Sequence, residues 1–149
     1  MLSSALVRSA PSGAEVGLRS GRGPRVVYAA HSSSCTRCRD YMLGLLAARD
    51  AIAEWGGRLT FVLAEQLDAA AALRASFERE VDVLADAERV LGLRGGSLIV
   101  ADEWGEEHYT YTADATHVLP EADEVVDWVR FTAIQCEECE RPEGGWQEV

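Results

Sequence analysis

The chain has 149 residues, a hydrophobic content of 48% and a formal net charge of −11 at pH 7. This length fits one domain with an ordinary globular core, and no apolar stretch approaches the roughly 18 residues that a membrane helix needs. The negative charge disfavours nucleic acid and anionic lipid, so we expect protein or small-molecule partners, with no nucleic acid and no membrane.

Residues 1–24 are rich in Ser, Gly and Arg and carry no sustained hydrophobic period. Such a composition buries little apolar surface, so the segment is predicted to be a disordered leader. Its first fourteen residues contain no acidic side chain, which leaves an organelle transit peptide open beside a bacterial leader or a misassigned start. We therefore expect a cytoplasmic protein, with organelle targeting as the alternative.

Residues 25–80 follow a strand, helix, strand, helix pattern. An apolar run over 25–31, closed by three serines, predicts a buried strand that runs into a loop. Apolar residues then recur at helical spacing over 35–55, and Gly56-Gly57 stops that helix. The alternation over 58–65 predicts a second strand, and an Ala-rich helix is expected over 67–80.

The remaining elements predict a hairpin and a closing helix. They are a short strand at 81–85, a helical turn at 86–91, paired strands at 97–101 and 108–112, and a helix at 121–135. Together these patterns predict a single α/β domain over residues 25–135 with a mixed central sheet flanked by helices. An acidic tail, 136–149, is expected to follow it.

The motif Cys35-Thr36-Arg37-Cys38 opens the first predicted helix. A thiolate is the attacking species in disulfide exchange, and a helix N-terminus with nearby cations favours that form of cysteine. Arg37 and Arg39 supply the cations, while Cys38 lies one helical turn on, where it can resolve a mixed disulfide. The pattern therefore favours thiol-disulfide exchange at Cys35.

Other interpretations of this motif remain open. A CxxC pair also forms structural disulfides or metal half-sites, and a domain of this kind can bind a partner or zinc without turnover. His31, four residues before Cys35, either tunes the cysteine's proton or is simply a solvated residue at a strand end. The position of the pair, at a helix start beside arginines, favours the redox interpretation.

The run Val26 to Cys38 resembles the strand and redox loop of the thioredoxin-like superfamily. The stretch from Val83 to Asp102 resembles the peroxiredoxin (AhpC/TSA) branch in particular. The resemblance implies a thioredoxin-like fold, with Cys35 as the nucleophilic or peroxidatic cysteine, Ser32 at the hydroxyl position of the family's motif and Arg94 as the peroxide-site arginine. It implies a thiol-disulfide oxidoreductase or, alternatively, a peroxiredoxin-like thiol peroxidase.

A second pair, Cys136-Glu-Glu-Cys139, follows the last predicted helix. Its acidic flanks disfavour a thiolate, so it would attack slowly. Three roles are open: a redox relay that exchanges electrons with Cys35 and Cys38, half of a four-cysteine zinc site shared with them, or a surface pair without a role. No cofactor is expected apart from zinc at the cysteines, and the partner is a disulfide or thiol with an unidentified electron donor.

Overall fold

The computed structural model describes residues 1–19, 21–113 and 118–139, except for the side chains of 136–139. Within these residues the elements, in chain order, are β1 (Leu6–Ser9), β2 (Ala14–Gly17), β3 (Arg25–Ala29), α1 (Thr36–Ala47), α2 (Arg49–Glu54), β4 (Arg58–Leu63), α3 (Leu67–Ala75), β5 (Asp82–Ala85), β6 (Ser97–Ala101), β7 (Glu107–Thr112) and α4 (Ala122–Cys139). None of the described helices is both long enough and apolar enough to cross a bilayer.

The strands form one mixed sheet in the order β2-β1-β5-β4-β3-β6-β7. The three central strands β5, β4 and β3 are parallel, because α1, α2 and α3 carry the chain back between them. The flanking strands β1, β2, β6 and β7 pair antiparallel. This arrangement confirms the predicted α/β fold with a mixed sheet.

The two faces of the sheet are covered differently. On β3, the side chain of Tyr28 points into the same core cluster as Phe61 on β4, and the buried apolar residues of all four helices belong to that cluster. The alternate residue Val27 points into a second cluster, which is closed by Leu2 and Leu18 rather than by a helix. The helices thus pack on one face of the sheet. The cysteine motif follows the carboxyl end of β3, where α1 begins on that face.

The prediction of a disordered leader over 1–24 is wrong. Strands β1 and β2 form an antiparallel hairpin, and β1 pairs with β5 at Arg8↔Ala85. Leu2, Val7 and Leu18 are only 3%, 6% and 4% exposed in the second core cluster. Three isolated apolar residues give no periodic pattern in the sequence. They are nevertheless buried, because they pack against side chains of the central strands, such as Val27 and Ile99.

Several predicted boundaries also shift. The long helix expected over 35–55 is two helices, because the backbone at Ala48 leaves the helical region (φ −93°, ψ 4°). The expected helical turn at 86–91 is a turn in which the Asp86 carboxylate accepts the N–H groups of Val90 and Leu91 at 2.8 and 3.0 Å. Helix α4 continues past 135 to Cys139, and residues 140–149 of the predicted tail lie outside the described residues.

Candidate active site

Cys35 is the residue at which α1 begins. Its backbone is extended (φ −75°, ψ 111°), and its Sγ accepts a hydrogen bond from the N–H of Cys38 at 3.3 Å. The first N–H groups of a helix have no partner within the helix and carry positive partial charge. The sulfur therefore lies where negative charge is stabilised, and the side chain is half-exposed, so that a substrate can reach it.

Cys38 lies one turn further on and is fully buried. Its Sγ accepts the backbone N–H of His31 at 3.3 Å and lies 3.4 Å from the Nδ1 atom of that imidazole. Burial raises the pKa of the Cys38 thiol, and the adjacent Cys35 sulfur raises it further. Cys38 is thus the protonated and shielded member of the pair, while Cys35 is the accessible one.

Tyr28 brings a phenol to the buried side of the pair. Its ring packs in the core, tilted against the ring of Tyr41 at a centroid distance of 5.0 Å. The hydroxyl faces the Cys38 sulfur, yet within the described part of the chain it makes no hydrogen bond of regular geometry. Burial raises the pKa of Tyr28 well above its ordinary value, and the nearby Cys38 adds to this effect. The residue therefore presents a neutral hydroxyl to the inner sulfur.

Glu65 fixes the loop between β3 and α1. Its carboxylate accepts hydrogen bonds from the Ser33 N–H at 2.6 Å and from the Ser33 hydroxyl at 2.7 Å. Bonds to an ionised acceptor are about twice as strong as neutral ones. Because Ser33 lies two residues before Cys35, this pair of bonds sets the course of the chain into the helix.

The imidazole of His31 rests on a glycine pair in the loop that leads to β6. A Cβ atom added to Gly96 would lie 2.6 Å from the Cε1 atom of His31, and one added to Gly95 would lie 3.2 Å from the Cδ2 atom. Gly96 also has φ +83°, a backbone conformation that glycine adopts without strain. Its N–H bonds the Ala29 carbonyl at 2.6 Å, so this loop is held against the end of β3.

The four predicted tuning residues, His31, Ser32, Arg37 and Arg94, all lie in the described part of the chain. The Nδ1 atom of His31 lies 3.4 Å from the Cys38 sulfur. The Ser32 hydroxyl shares a hydrogen bond with the Ser34 hydroxyl at 3.2 Å. Arg37 is exposed on the first turn of α1, and Arg94 is exposed beside the glycine pair. The roles expected of Ser32, Arg37 and Arg94 stay predictions.

Arg39, the second arginine near the motif, is directed to another helix. Its guanidinium donates to the Ser76 hydroxyl at 2.7 Å and lies 5.4 Å above the centroid of the Phe77 ring. These contacts join α1 to the C-terminal end of α3. A packing role therefore accounts for this residue.

The second cysteine pair lies in the last turn of α4, which runs through Cys136 and Cys139. Their side chains lie outside the described residues, as do residues 140–149. The relay and the four-cysteine zinc site therefore stay predictions.

The fold matches solved structures of one kind. The chain superimposes on AhpC of Enterococcus faecalis with a TM-score of 0.76 and 11% identity, over 95% of this chain and 94% of that one. For the 2-Cys peroxiredoxin of Plasmodium vivax the TM-score is 0.75 and the identity 15%, over 90% of this chain and 93% of that one. For peroxiredoxin Q of Xanthomonas campestris the TM-score is 0.72 and the identity 15%, over 87% of this chain and 91% of that one. The chain has a peroxiredoxin fold.

Identities this low establish the fold alone. No protein-family model matches the sequence, and no curated protein matches it. The predicted thioredoxin-like architecture of the peroxiredoxin branch is thus confirmed as a fold, by superposition rather than by sequence.

Two site residues of this peroxiredoxin fold were missed as functional candidates in the sequence. Tyr28 lies on the core face of β3, and strand alternation could have placed it beneath the helix that Cys35 opens. Glu65 follows the carboxyl end of β4, next to the carboxyl end of β3, where the loops of parallel strands meet. For Glu65, the available signal was its position as a charged residue just after the end of a parallel strand.

Proposed function

We propose that the chain is a thiol-disulfide oxidoreductase in which Cys35 attacks and Cys38 resolves. One observation carries the proposal: the Cys35 sulfur caps α1, and the Cys38 sulfur lies within 4.8 Å of it, one turn deeper. A disulfide between residues in the same turn can then form with little backbone movement. The accessible sulfur meets the substrate, and the buried one completes the reaction.

In the first step the Cys35 thiolate attacks one sulfur of a substrate disulfide. The Cys35–substrate S–S bond forms, the substrate's own S–S bond breaks, and the other half leaves as a thiolate. The N–H of Cys38 already bonds the Cys35 sulfur at 3.3 Å, so it is in place to stabilise negative charge there before attack. Solvent protonates the departing thiolate.

In the second step Cys38 loses its proton and attacks the Cys35 sulfur. The Cys35–Cys38 bond forms, and the second half of the substrate leaves as a thiolate, so the substrate gains two electrons and the protein loses two. His31 is the group in position to accept the proton, because its Nδ1 atom lies 3.4 Å from the Cys38 sulfur. A thiol donor in excess then reduces the protein.

Peroxide reduction is the second candidate, and the fold favours it. One superimposed structure, with a TM-score of 0.71 and 15% identity, is a Xanthomonas campestris protein described by its alkyl peroxide reduction activity. Here the Cys35 thiolate would attack a peroxide oxygen, break the O–O bond and release an alcohol or water, leaving a sulfenic acid. Cys38 would then form the same disulfide and release water.

The principal test compares cysteine variants in the full chain, with Cys136→Ser and Cys139→Ser in every background. Reduction of insulin is expected with Cys35 and Cys38 intact and is expected to be lost in Cys35→Ser. Cys38→Ser should accumulate a mixed disulfide on Cys35, detected by mass spectrometry. Ser34→Ala, an exposed residue of the same loop, is the matched control. Insulin reduction that survives Cys35→Ser would refute the proposal.

Rapid mixing with hydrogen peroxide or an alkyl hydroperoxide separates the two candidates. A peroxidase should form a Cys35 sulfenic acid, trapped with a sulfenate-specific reagent, much faster than a small free thiol does. A rate equal to that of the free thiol, with insulin reduction retained, would leave the oxidoreductase function alone.

We also propose that Cys136 and Cys139 relay electrons to the first pair. The support is their CxxC spacing and their place in the last turn of α4, next to an acidic tail in the sequence. Disulfide mapping after mild oxidation should find a Cys35-to-tail crosslink, and turnover should slow in Cys136→Ser/Cys139→Ser. Unchanged turnover without a crosslink would exclude the relay.

A further inference from the structure

We infer that His31, Cys35 and Cys38 form a binding site for a thiophilic divalent cation, with Zn²⁺ as the best fit. One ligand atom from each residue lies within 4.8 Å of the others, and this trio is the group of metal-ligating side chains that the described residues bring together. The set differs from the four-cysteine site considered from the sequence, because it needs no residue of the tail. It also goes beyond the redox proposal.

The distances suit tetrahedral coordination. Zinc binds sulfur at about 2.3 Å and imidazole nitrogen at about 2.0 Å, which places neighbouring ligand atoms roughly 3.5 to 3.8 Å apart. The Cys38 sulfur and the His31 Nδ1 atom are already 3.4 Å apart, and no pair of ligand atoms exceeds 4.8 Å. Side-chain rotations that move atoms by about 1 Å or less complete the geometry. Two sulfurs and an imidazole are also the donors that zinc prefers.

The surrounding groups hold these ligands in place. The His31 ring is held against Gly96, and the two hydrogen bonds that Ser33 donates to the Glu65 carboxylate fix the loop between the histidine and Cys35. Each sulfur also accepts a backbone N–H, from His31 in the case of Cys38 and from Cys38 in the case of Cys35. Hydrogen bonds of this kind orient metal ligands and stabilise their charge.

Three protein ligands leave a fourth position, and it faces outward, because Cys35 is half-exposed and His31 is exposed. Water or a substrate thiolate would complete the coordination. Binding displaces the protons of both thiols into solvent and engages the sulfur that attacks disulfides. Metal binding and thiol-disulfide exchange therefore exclude one another, so the cation would keep the reduced pair from reacting.

The test uses the full chain carrying Cys136→Ser and Cys139→Ser, reduced and freed of metal, and titrated with Co²⁺ and then Zn²⁺. One Co²⁺ per chain is expected, with the thiolate-to-cobalt charge-transfer absorption of two sulfurs and the intense visible bands of a tetrahedral site, and Zn²⁺ should displace it. Removing a group that only hydrogen-bonds to a metal ligand lowers metal affinity by about 10- to 100-fold. Removing a ligand itself should cost at least as much, so His31→Ala is expected to weaken Co²⁺ binding by about 100-fold or more.

Two further variants separate a ligand from a merely structural histidine. His31→Cys should restore binding and strengthen the charge-transfer band, because it returns a donor atom to the same position. Ser34→Ala, on the same loop, should bind as the parent does. Absence of stoichiometric cobalt binding would overturn the inference, as would equal affinity in His31→Ala and the parent.

Alkylation separates this inference from the redox proposal. In the same tail-variant chain, stoichiometric Zn²⁺ should slow the iodoacetamide labelling of Cys35 at least tenfold, and a chelator should restore the rate. Unchanged labelling in the presence of Zn²⁺ would refute the metal site and leave the redox proposal intact, because insulin reduction is measured on metal-free protein. Loss of insulin reduction alone would leave the metal site intact.

Discussion

Replacing Glu65 with alanine should disorder the loop that carries the candidate site. The carboxylate accepts two short hydrogen bonds from Ser33, one from the backbone N–H and one from the hydroxyl. Both are lost in Glu65→Ala, and the Ser33 N–H, in a half-buried residue, loses its acceptor. No other described side chain is bonded to this N–H, so the segment from His31 to Cys35 loses its anchor to the loop that follows β4.

The magnitude follows from the number and kind of these bonds. A hydrogen bond to a charged group contributes about 1.5 to 3 kcal/mol, and partial exposure of Glu65 places both bonds at or below the lower end of that range. We therefore expect Glu65→Ala to lower the free energy of unfolding by about 2 to 3 kcal/mol. For a domain of this size that corresponds to a fall in Tm of about 4 to 12 °C.

Urea unfolding of the metal-free, reduced protein measures this loss, with Glu88→Ala, at an exposed turn position, as the control. Ser33→Ala removes the hydroxyl bond alone and should cost about 1 kcal/mol; combined with Glu65→Ala it should add almost nothing, because the two changes break the same bond. Insulin reduction should slow about tenfold or more as the Cys35 sulfur loses its position. A Glu65→Ala stability within about 0.5 kcal/mol of the Glu88→Ala control would refute the reasoning.

Three further predictions concern the fold around the site. Gly96→Ala should cost at least about 1 kcal/mol more than Gly92→Ala, because both have positive φ (+83° and +70°) but only at Gly96 would the new Cβ meet an imidazole; equal losses in thermal melts would contradict this. Leu18→Ala should lower the free energy of unfolding by about 2 to 5 kcal/mol, whereas Leu6→Ala, at a residue that is 58% exposed, should lower it by less than about 0.5 kcal/mol. Urea melts that show no difference between the two variants would mean that the N-terminal segment does not pack. Burial raises the pKa of Tyr28, so its hydroxyl ionises first in the unfolded chain; the stability that this residue contributes is complete below about pH 10 and falls above it. Tyr28→Phe should therefore make the loss of stability above about pH 10 shallower, by up to about 1.4 kcal/mol per pH unit in pH-dependent urea melts. An unchanged pH slope would count against this burial.

Local patterns in the sequence were enough to predict several elements of this fold. The buried strand β3, the helix that begins after Cys35, the hairpin of β6 and β7 and the strand β4 were all predicted, because apolar periodicity and glycine stops act over a few residues. The position of the CxxC motif at the start of a helix was predicted for the same reason. Local chemistry thus located the candidate pair and predicted different roles for its two members.

Features that depend on contacts between distant residues became visible only in the folded protein. The N-terminal hairpin forms because β5, more than seventy positions later, offers it an edge, and neither strand is periodic enough to be recognised without that partner. Glu65 and Gly96 reach the site in the same way, from the end of β4 and the start of β6. Hydrogen bonds and close packing between distant segments carry no signal in either segment alone, so the anchors of the site appear only when the sheet brings the strand ends together.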